Sequence, residues 1–230
     1  MERPLKPIVR VTTLEKFRRF ICDNCDRESE QALLDTVMGR FKGNRLTAVG
    51  TVVHALVENG GAHLSRTGVD GGYRFETSGR RVWLSYEQLH RIERYREELT
   101  PAMHERRVYK DMGPALVTGC ADLIEGVTIH DIKTRFAPVE DAEYTDSYQW
   151  RYYLELFGGD EFHYDVFEFP GYNSKLAGDV RGLEMKLREP IVCYRYDGLH
   201  EDCDRLLNLF LLWAANRGVM SYLTSERLCE

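Results

Sequence analysis

No apolar run in the chain approaches the roughly 20 residues that a membrane-spanning helix needs, so the sequence predicts no bilayer crossing. The opening MERPLKPIVRVTT contains no apolar stretch of the secretory kind, and a cytoplasmic location is expected. Six cysteines at irregular spacings in 230 residues do not form the framework of a disulfide-stapled secreted fold. There is no internal repeat, low-complexity tract or Pro/Ser-rich linker, so residues 1–230 read as a single domain. No GxxxxGK[ST] phosphate loop occurs, which excludes a visible ATPase engine. Net positive charge is lacking too: 31 Lys and Arg against 37 Asp and Glu give −6, on its face an argument against a nucleic-acid partner.

The charge is unevenly placed, however. Arg3, Lys6, Arg10, Lys16, Arg18 and Arg19 stand in the first nineteen residues against only Glu2 and Glu15. A second basic stretch runs from Arg80 to Lys110, and acids concentrate over 111–146 and 197–204. A basic rim around an acidic centre suits an enzyme that grips a polyanion and holds a cation; solvated helix faces give the same pattern.

Helical periodicity starts after Thr12, which with Glu15 has capping-box spacing and leads into Leu14, Phe17 and Ile21. Further helices are expected near Gln31–Phe41, from about Thr47 to Gly60-Gly61, and from Ser85 (with Gln88) to before Pro101. Residues 62–83 are Gly-rich with short strand-like pieces. Strands follow at 104–110, 115–124 and 127–134, the last two joined by a tight turn at Glu125-Gly126. A helix over about 141–157, strands at 162–169 and 191–196, and a helix near Leu199–Asn216 complete the pattern, which belongs to the α/β or α+β class.

The segment GVTIHDIKT (126–134) carries the chemistry. A period of two puts Val127, Ile129, Asp131 and Lys133 on one face and Thr128, His130 and Ile132 on the other. Ionisable groups on an apolar strand face are costly, and an exposed Asp/Lys pair at a strand end is the plain explanation. The preceding strand also ends in an acid, Asp122, which a tight hairpin brings close to Asp131. Two carboxylates forced together need a positive charge between them, and a hard divalent cation such as Mg²⁺ suits such oxygens. Lys133 then stands where it can hold or deprotonate a water or neutralise developing charge. Such a site suits hydrolysis of a phosphodiester.

These residues resemble the core of the PD-(D/E)XK nuclease superfamily, and the flanking ones are similar to its RecB-like exonuclease branch. Gly50-Thr51-Val52-Val53-His54 resembles the GxxxH helix of that branch, Gly119-Cys120-Ala121-Asp122 its GxxD, Asp131-Ile132-Lys133-Thr134 its DxKT, and Gln149 to Tyr153 its QxxxY. The likeness covers roughly residues 12–170, with the core motifs at about 47–170 after an N-terminal helical part at 12–60. The C-terminal strand and helix at 190–217 add little to it. A second acid-x-lysine triplet, Glu184-Met185-Lys186, lacks both an apolar strand before it and a companion hairpin.

The resemblance implies a single nuclease domain with a restriction-endonuclease-like core, a central mixed sheet flanked by helices. It implies Mg²⁺ or Mn²⁺ held by His54, Asp122, Asp131 and the Ile132 carbonyl, with Lys133 as catalytic lysine. His54 is otherwise a satisfied core histidine. Gln149 and Tyr153 share a helix face and either contact DNA, brace the site or simply pack. Glu105 is either a site acid or a strand acid paired with Arg106 or Arg107. Cys22 and Cys25 have the spacing of half a metal site, but Cys193, Cys203 and Cys229 are too scattered to complete the iron–sulfur cluster of some relatives, and no cluster is expected. DNA is the implied substrate, in recombination, repair or processing; a helicase or recombinase partner would be a separate polypeptide, and oligomers are compatible with the family. The alternative is a catalytically inactive nuclease fold serving as a DNA-binding or regulatory subunit.

Overall fold

Val9, in the middle of strand β1 (Ile8–Arg10), is fully buried, and the chain passes straight from this strand into helix α1 (Val11–Ile21). That continuity removes the expected capping box. The helix begins ahead of Thr12, its N-cap Arg10 makes no side-chain cap, and Glu15 instead binds Arg18, Arg19 and the Tyr148 N–H. The computed structural model describes residues 6–22, 28–40, 45–99 and 103–223; Arg3, Cys25, Phe41, Pro101 and Cys229, all part of the sequence reading, lie outside them. Helix α2 (Glu30–Val37) is capped by Ser29, whose side chain accepts from the Ala32 N–H. Gly39, in the left-handed region, follows it, so the helix is shorter than its periodicity suggests.

Helix α3 (Arg45–Asn59) ends at Gly60 and Gly61, both with positive φ. The Gly-rich stretch forms a three-stranded antiparallel sheet of β2 (Ser65–Val69), β3 (Gly72–Thr77) and β4 (Arg80–Ser85). Helix α4 (Tyr86–Glu98) starts with the full capping box of Ser85 and Gln88. Strands β5 (Met103–Asp111), β6 (Leu116–Glu125) and β7 (Thr128–Arg135) come next. The turn between β6 and β7 is Gly126-Val127, since Glu125 pairs with Thr128. Val127 is therefore an exposed turn residue and not a member of the strand face.

The helix expected over 141–157 is two helices, α5 (Asp141–Thr145) and α6 (Gln149–Phe157). Ser147 Oγ accepts the Gln149 N–H and Glu15 accepts that of Tyr148, which lets the backbone restart in a new direction. Strand β8 (Glu161–Glu168), short strand β9 (Lys186–Leu187), strand β10 (Ile191–Tyr194) and helix α7 (Leu199–Asn216) complete the chain.

Among the described residues, seven strands make one mixed sheet. β5 lies antiparallel along one side of β6. The other side of β6 is shared: β1 runs parallel to Leu116–Thr118, and β7 runs antiparallel to Leu123–Glu125. β7 and β8 are parallel over the whole of β7, and β9 and β10 pair antiparallel with β8. One face is covered by α1, α2, α6 and α7 through Leu14, Leu33, Tyr152 and Phe210. The other is covered by α3, α4 and the small sheet through Val53, Leu56, Ile92 and Phe75. Burying each such side chain contributes about 1.5–3 kcal/mol, and cover on both sides of the sheet explains why Ile129, His130, Asp131 and Ile132 of β7 are all buried, so that the strand is not half-buried. The expected α/β class with a central mixed sheet flanked by helices is what the chain adopts. Among the described residues no helix is long and apolar enough to cross a membrane.

Candidate active site

The hairpin of β6 and β7 is zipped only at its turn. Ladder pairing runs from Glu125↔Thr128 to Leu123↔His130 and stops there. Beyond that point β7 stays with β8, whereas β6 turns to β1, and the two strands fork. A fork leaves backbone groups without ladder partners, and in a buried sheet these need other ones. Asp122 supplies one: its Oδ2 accepts the Ile132 N–H at 2.8 Å. Tyr153 supplies another, donating its hydroxyl to the Cys120 carbonyl at 2.9 Å. Gly119 leaves room for this, because a Cβ there would lie 3.0 Å from Leu156 Cδ1 and 3.5 Å from Tyr153 Cζ.

Ionisable groups gather at the fork. From α3, His54 Nδ1 lies 3.5 Å from Asp122 Oδ2 and 3.9 Å from Glu58 Oε1. From β7, Lys133 Nζ contacts Asp131 Oδ2. From α6, Gln149 Nε2 donates to Asp131 Oδ1 at 2.9 Å. Glu105 on β5, with φ at 45° in the left-handed region, stands beside Glu58 and its charge acts on that carboxyl. Non-glycine residues held in that region store about 1–3 kcal/mol of backbone strain.

Burial sets the electrostatics. It pushes the Asp131 carboxyl up to about 6; the Asp122 charge adds to this, and Lys133 and His54 oppose it. Burial and the charges of Glu105 and Asp122 raise Glu58 to about 7. Burial works against ionised Asp122 too, but His54, the Lys133 charge and the Ile132 N–H together hold its carboxyl below the usual range. Burial opposes a charged His54, yet Asp122 carries its imidazole above the ordinary value. Carboxyls held at unlike protonation tendencies within one cleft mark a candidate site.

His54, Glu58 and Asp122 offer ligand atoms that all lie within 4.8 Å of one another, the spacing that a metal ion bridges. Carboxylate oxygens and one imidazole suit Mg²⁺, Mn²⁺ or a related divalent ion. Asp131 lies outside this group of three, its Oδ2 buried against the Lys133 ammonium. The donor set therefore fits a divalent metal.

Of the residues singled out from sequence, His54, Glu105, Asp122, Ile132 and Lys133 line one cleft of about 780 Å³. Asp131 sits behind that lining, held between Lys133 and Gln149. Gln149 and Tyr153 are buried and brace the fork from α6. Glu105 turns to Glu58, and no ion pair joins it to Arg106 or Arg107 among the described contacts. Glu58 is the residue the sequence reading missed. It lies four positions after His54 on the same helix face, a spacing that gains meaning only once Asp122 and Glu105 stand beside the pair. The basic stretches contribute unevenly: Arg107 lines the cleft, joined by Arg135 from outside them, whereas Lys110 binds Glu155 and Arg91 and Arg94 pair with Glu87 and Glu98. Glu184 and Lys186 form an exposed pair at 3.2 Å, away from the fork. Cys193 and Cys203 are buried free thiols in the core, and Cys120 and Cys22 are partly buried.

No protein-family model and no curated protein matches the chain. Among solved structures, a candidate exonuclease from Eubacterium rectale superposes with a TM-score of 0.53 at 11% identity, covering 97% of this chain and 86% of its own. A second solved structure, SSO0001, reaches a TM-score of 0.42 at 13% identity over 99% of this chain and 90% of its own, too low for any argument. At these identities the likeness concerns the fold alone.

Proposed function

We propose that the chain is a metal-dependent deoxyribonuclease of the RecB-like branch, a single nuclease domain over residues 1–230 that hydrolyses DNA phosphodiesters and acts by preference from strand ends. One observation carries the reading: His54, Asp122, Asp131 and Lys133, from α3, β6 and β7, meet where the hairpin forks, with Gln149 and Tyr153 holding that fork from a fourth element. The fold likeness to a candidate exonuclease is in keeping with it.

His54, Glu58, Asp122 and Asp131 are the residues that would hold a divalent ion, whose chemistry when bound is Lewis-acid polarisation of the phosphate and acidification of a water. Lys133 faces both the carboxylates and the cleft, so its ammonium neutralises charge that develops on a phosphate lying there. Gln149 fixes Asp131 through Oδ1 and leaves Oδ2 toward Lys133. Arg107 adds positive charge along the cleft for backbone phosphates, while Arg135 beside it is paired with Glu143. An intracellular role in recombination, repair or DNA processing, with any helicase or recombinase as a separate chain, completes the reading.

The test is incubation of linear and covalently closed circular DNA with Mg²⁺ or Mn²⁺. Linear DNA should be degraded by the wild type and left intact by Asp131→Ala and Lys133→Ala. Absence of cleavage by the wild type, or cleavage by both variants at the wild-type rate, rejects the nuclease reading and leaves a nuclease fold used for binding. Circles cut as fast as linear DNA remove the preference for ends.

A further inference from the structure

The α3 side of the large sheet is covered over part of its width. Among the described residues, the core beneath α3, α4 and the small sheet takes Leu123 from β6, Ile132 from β7 and Phe167 from β8. It takes no residue from β1, from β5 or from Leu116–Cys120. The sheet face thus runs on past the cleft, and Arg107 and Cys120, opposite each other on β5 and β6, are the cleft residues that lead onto it.

The strand register says which side chains stand there. Directly opposed residues share a sheet face, and so do residues two apart along a strand. Arg107 is opposite Cys120, Tyr109 is opposite Thr118, and Arg10 of β1 flanks the same Thr118 from the other side. Arg107, Tyr109 and Arg10 therefore lie on the cleft's face of the sheet. Arg106 and Lys110 lie on the opposite face, where Lys110 meets Glu155 of α6. Arg10 and Arg107 are exposed, and 48% of Tyr109 is.

Charge without a partner sets this shelf apart. The basic side chains around it are matched: Lys6 with Asp111, Lys110 with Glu155, Lys133 with Asp131 and Arg135 with Glu143. Arg10 and Arg107 join no ion pair among the described contacts. Uncompensated guanidinium groups suit a phosphate backbone. The exposed ring between them narrows the form of that backbone. Bases in a duplex are already stacked on both faces, whereas an unpaired base can lay its face on an aromatic side chain. Tyr109 and Arg10 are two strand spacings apart, about 10 Å, so one strand can reach both.

We propose that this shelf binds single-stranded DNA: the strand that passes Lys133 in the cleft continues over Arg107, stacks a base on Tyr109 and reaches Arg10 on β1. This rests on the nuclease reading and deepens it, since it makes the unpaired strand the form of the substrate that the protein holds.

Fluorescence anisotropy on the full chain in EDTA tests it, with a labelled oligo(dT) of about 15 nucleotides and a blunt duplex of the same length. Wild type should bind the oligo(dT) more tightly than the duplex. Tyr109→Leu keeps an apolar side chain and loses the ring, and its affinity for oligo(dT) should fall by about fivefold or more, with Tyr109→Phe close to wild type. The slope of log K against log salt should flatten by ~0.7 in Arg10→Gln and in Arg107→Gln, one phosphate contact each. Arg106→Gln removes the same charge from the opposite face and should leave the slope as it is. Melting temperatures of the variants separate lost binding from lost folding, and Arg10→Gln and Tyr109→Leu lie on different strands, so one remains informative if the other unfolds. Duplex bound as tightly as oligo(dT), wild-type affinity in a folded Tyr109→Leu, or a slope that responds to Arg106 and not to Arg10 overturns the shelf. Selective oligo(dT) binding that Tyr109→Leu weakens, with no cleavage of any DNA by wild type in Mn²⁺, overturns the nuclease reading and upholds the shelf.

Discussion

Asp131→Asn should make the metal-free protein more stable while destroying its function. Burial first, then the Asp122 charge, carries the Asp131 carboxyl from 3.8 to about 6. At ~1.4 kcal/mol per unit, a shift of about two units puts ~3 kcal/mol against the folded state once the group is ionised. The sign follows from proton counting. Between roughly pH 4 and 6 the unfolded chain has released this proton and the folded chain retains it, so stability falls as pH rises; above 6 the penalty is constant. Asparagine cannot ionise, and its Oδ1 still accepts from Gln149. It loses the Lys133 contact and turns its Nδ2 donor toward that ammonium, but Lys133 is 30% exposed and can swing into the cleft, so the loss is held to ~1–2 kcal/mol. The net expectation is a gain of ~1–2 kcal/mol at pH 8 in EDTA, shrinking to within ~0.5 kcal/mol at pH 4. Urea unfolding of both proteins at the two pH values measures it. A variant less stable than wild type at pH 8, or a difference that does not change with pH, refutes the reasoning. Under the same conditions with Mn²⁺ the order should invert, because the wild type alone gains from bound metal.

Three further outcomes follow from the geometry. Glu58→Gln should weaken Mn²⁺ binding by about tenfold or more in a calorimetric titration, and an unchanged affinity would place Glu58 outside the metal centre. Tyr153→Phe removes the donor to the Cys120 carbonyl and should cost ~1–3 kcal/mol in urea unfolding; a loss below about 0.5 kcal/mol would mean that water replaces it. Gly119→Ala brings a methyl group to 3.0 Å from Leu156 and 3.3 Å from Val11, so overpacking of ~1–3 kcal/mol is expected. A stabilised Gly119→Ala protein would show that α6 moves away freely.

Legibility in the sequence followed the kind of signal each element carried. Helices α3 and α7 announced themselves by periodicity, α3 also by Gly60-Gly61 at its end, and Ser85 with Gln88 formed the capping box that its spacing predicts. Thr12 and Glu15 have similar spacing and form none, because β1 feeds directly into α1, a fact that depends on the partner strand β6. The break between α5 and α6 was equally invisible, since it rests on Glu15, 133 residues away, accepting the Tyr148 N–H. At the site, Asp122, Asp131 and Lys133 were legible as acids and a base interrupting apolar strands. Glu58 was not, because a glutamate four residues after a histidine on a helix is unremarkable until Glu105 and Asp122 are placed around it.

Site chemistry and sheet architecture share the same atoms, and this decides how the site must be dissected. Asp122 is an expected metal ligand and is also the acceptor that replaces a missing ladder bond for the Ile132 N–H. Alanine at 122 therefore removes two things at once, and loss of activity would say nothing about chemistry. Asparagine separates them: its side-chain oxygen still accepts from Ile132 but brings no negative charge to a cation. Asp122→Asn should unfold close to the wild-type urea midpoint in EDTA, whereas Asp122→Ala leaves a buried N–H unpaired and should lose ~1–3 kcal/mol more than the asparagine variant. Both should lose Mn²⁺ affinity. Equal stability of the two variants would show that the fork does not depend on Asp122, and retained Mn²⁺ affinity in Asp122→Asn would show that the metal does not either.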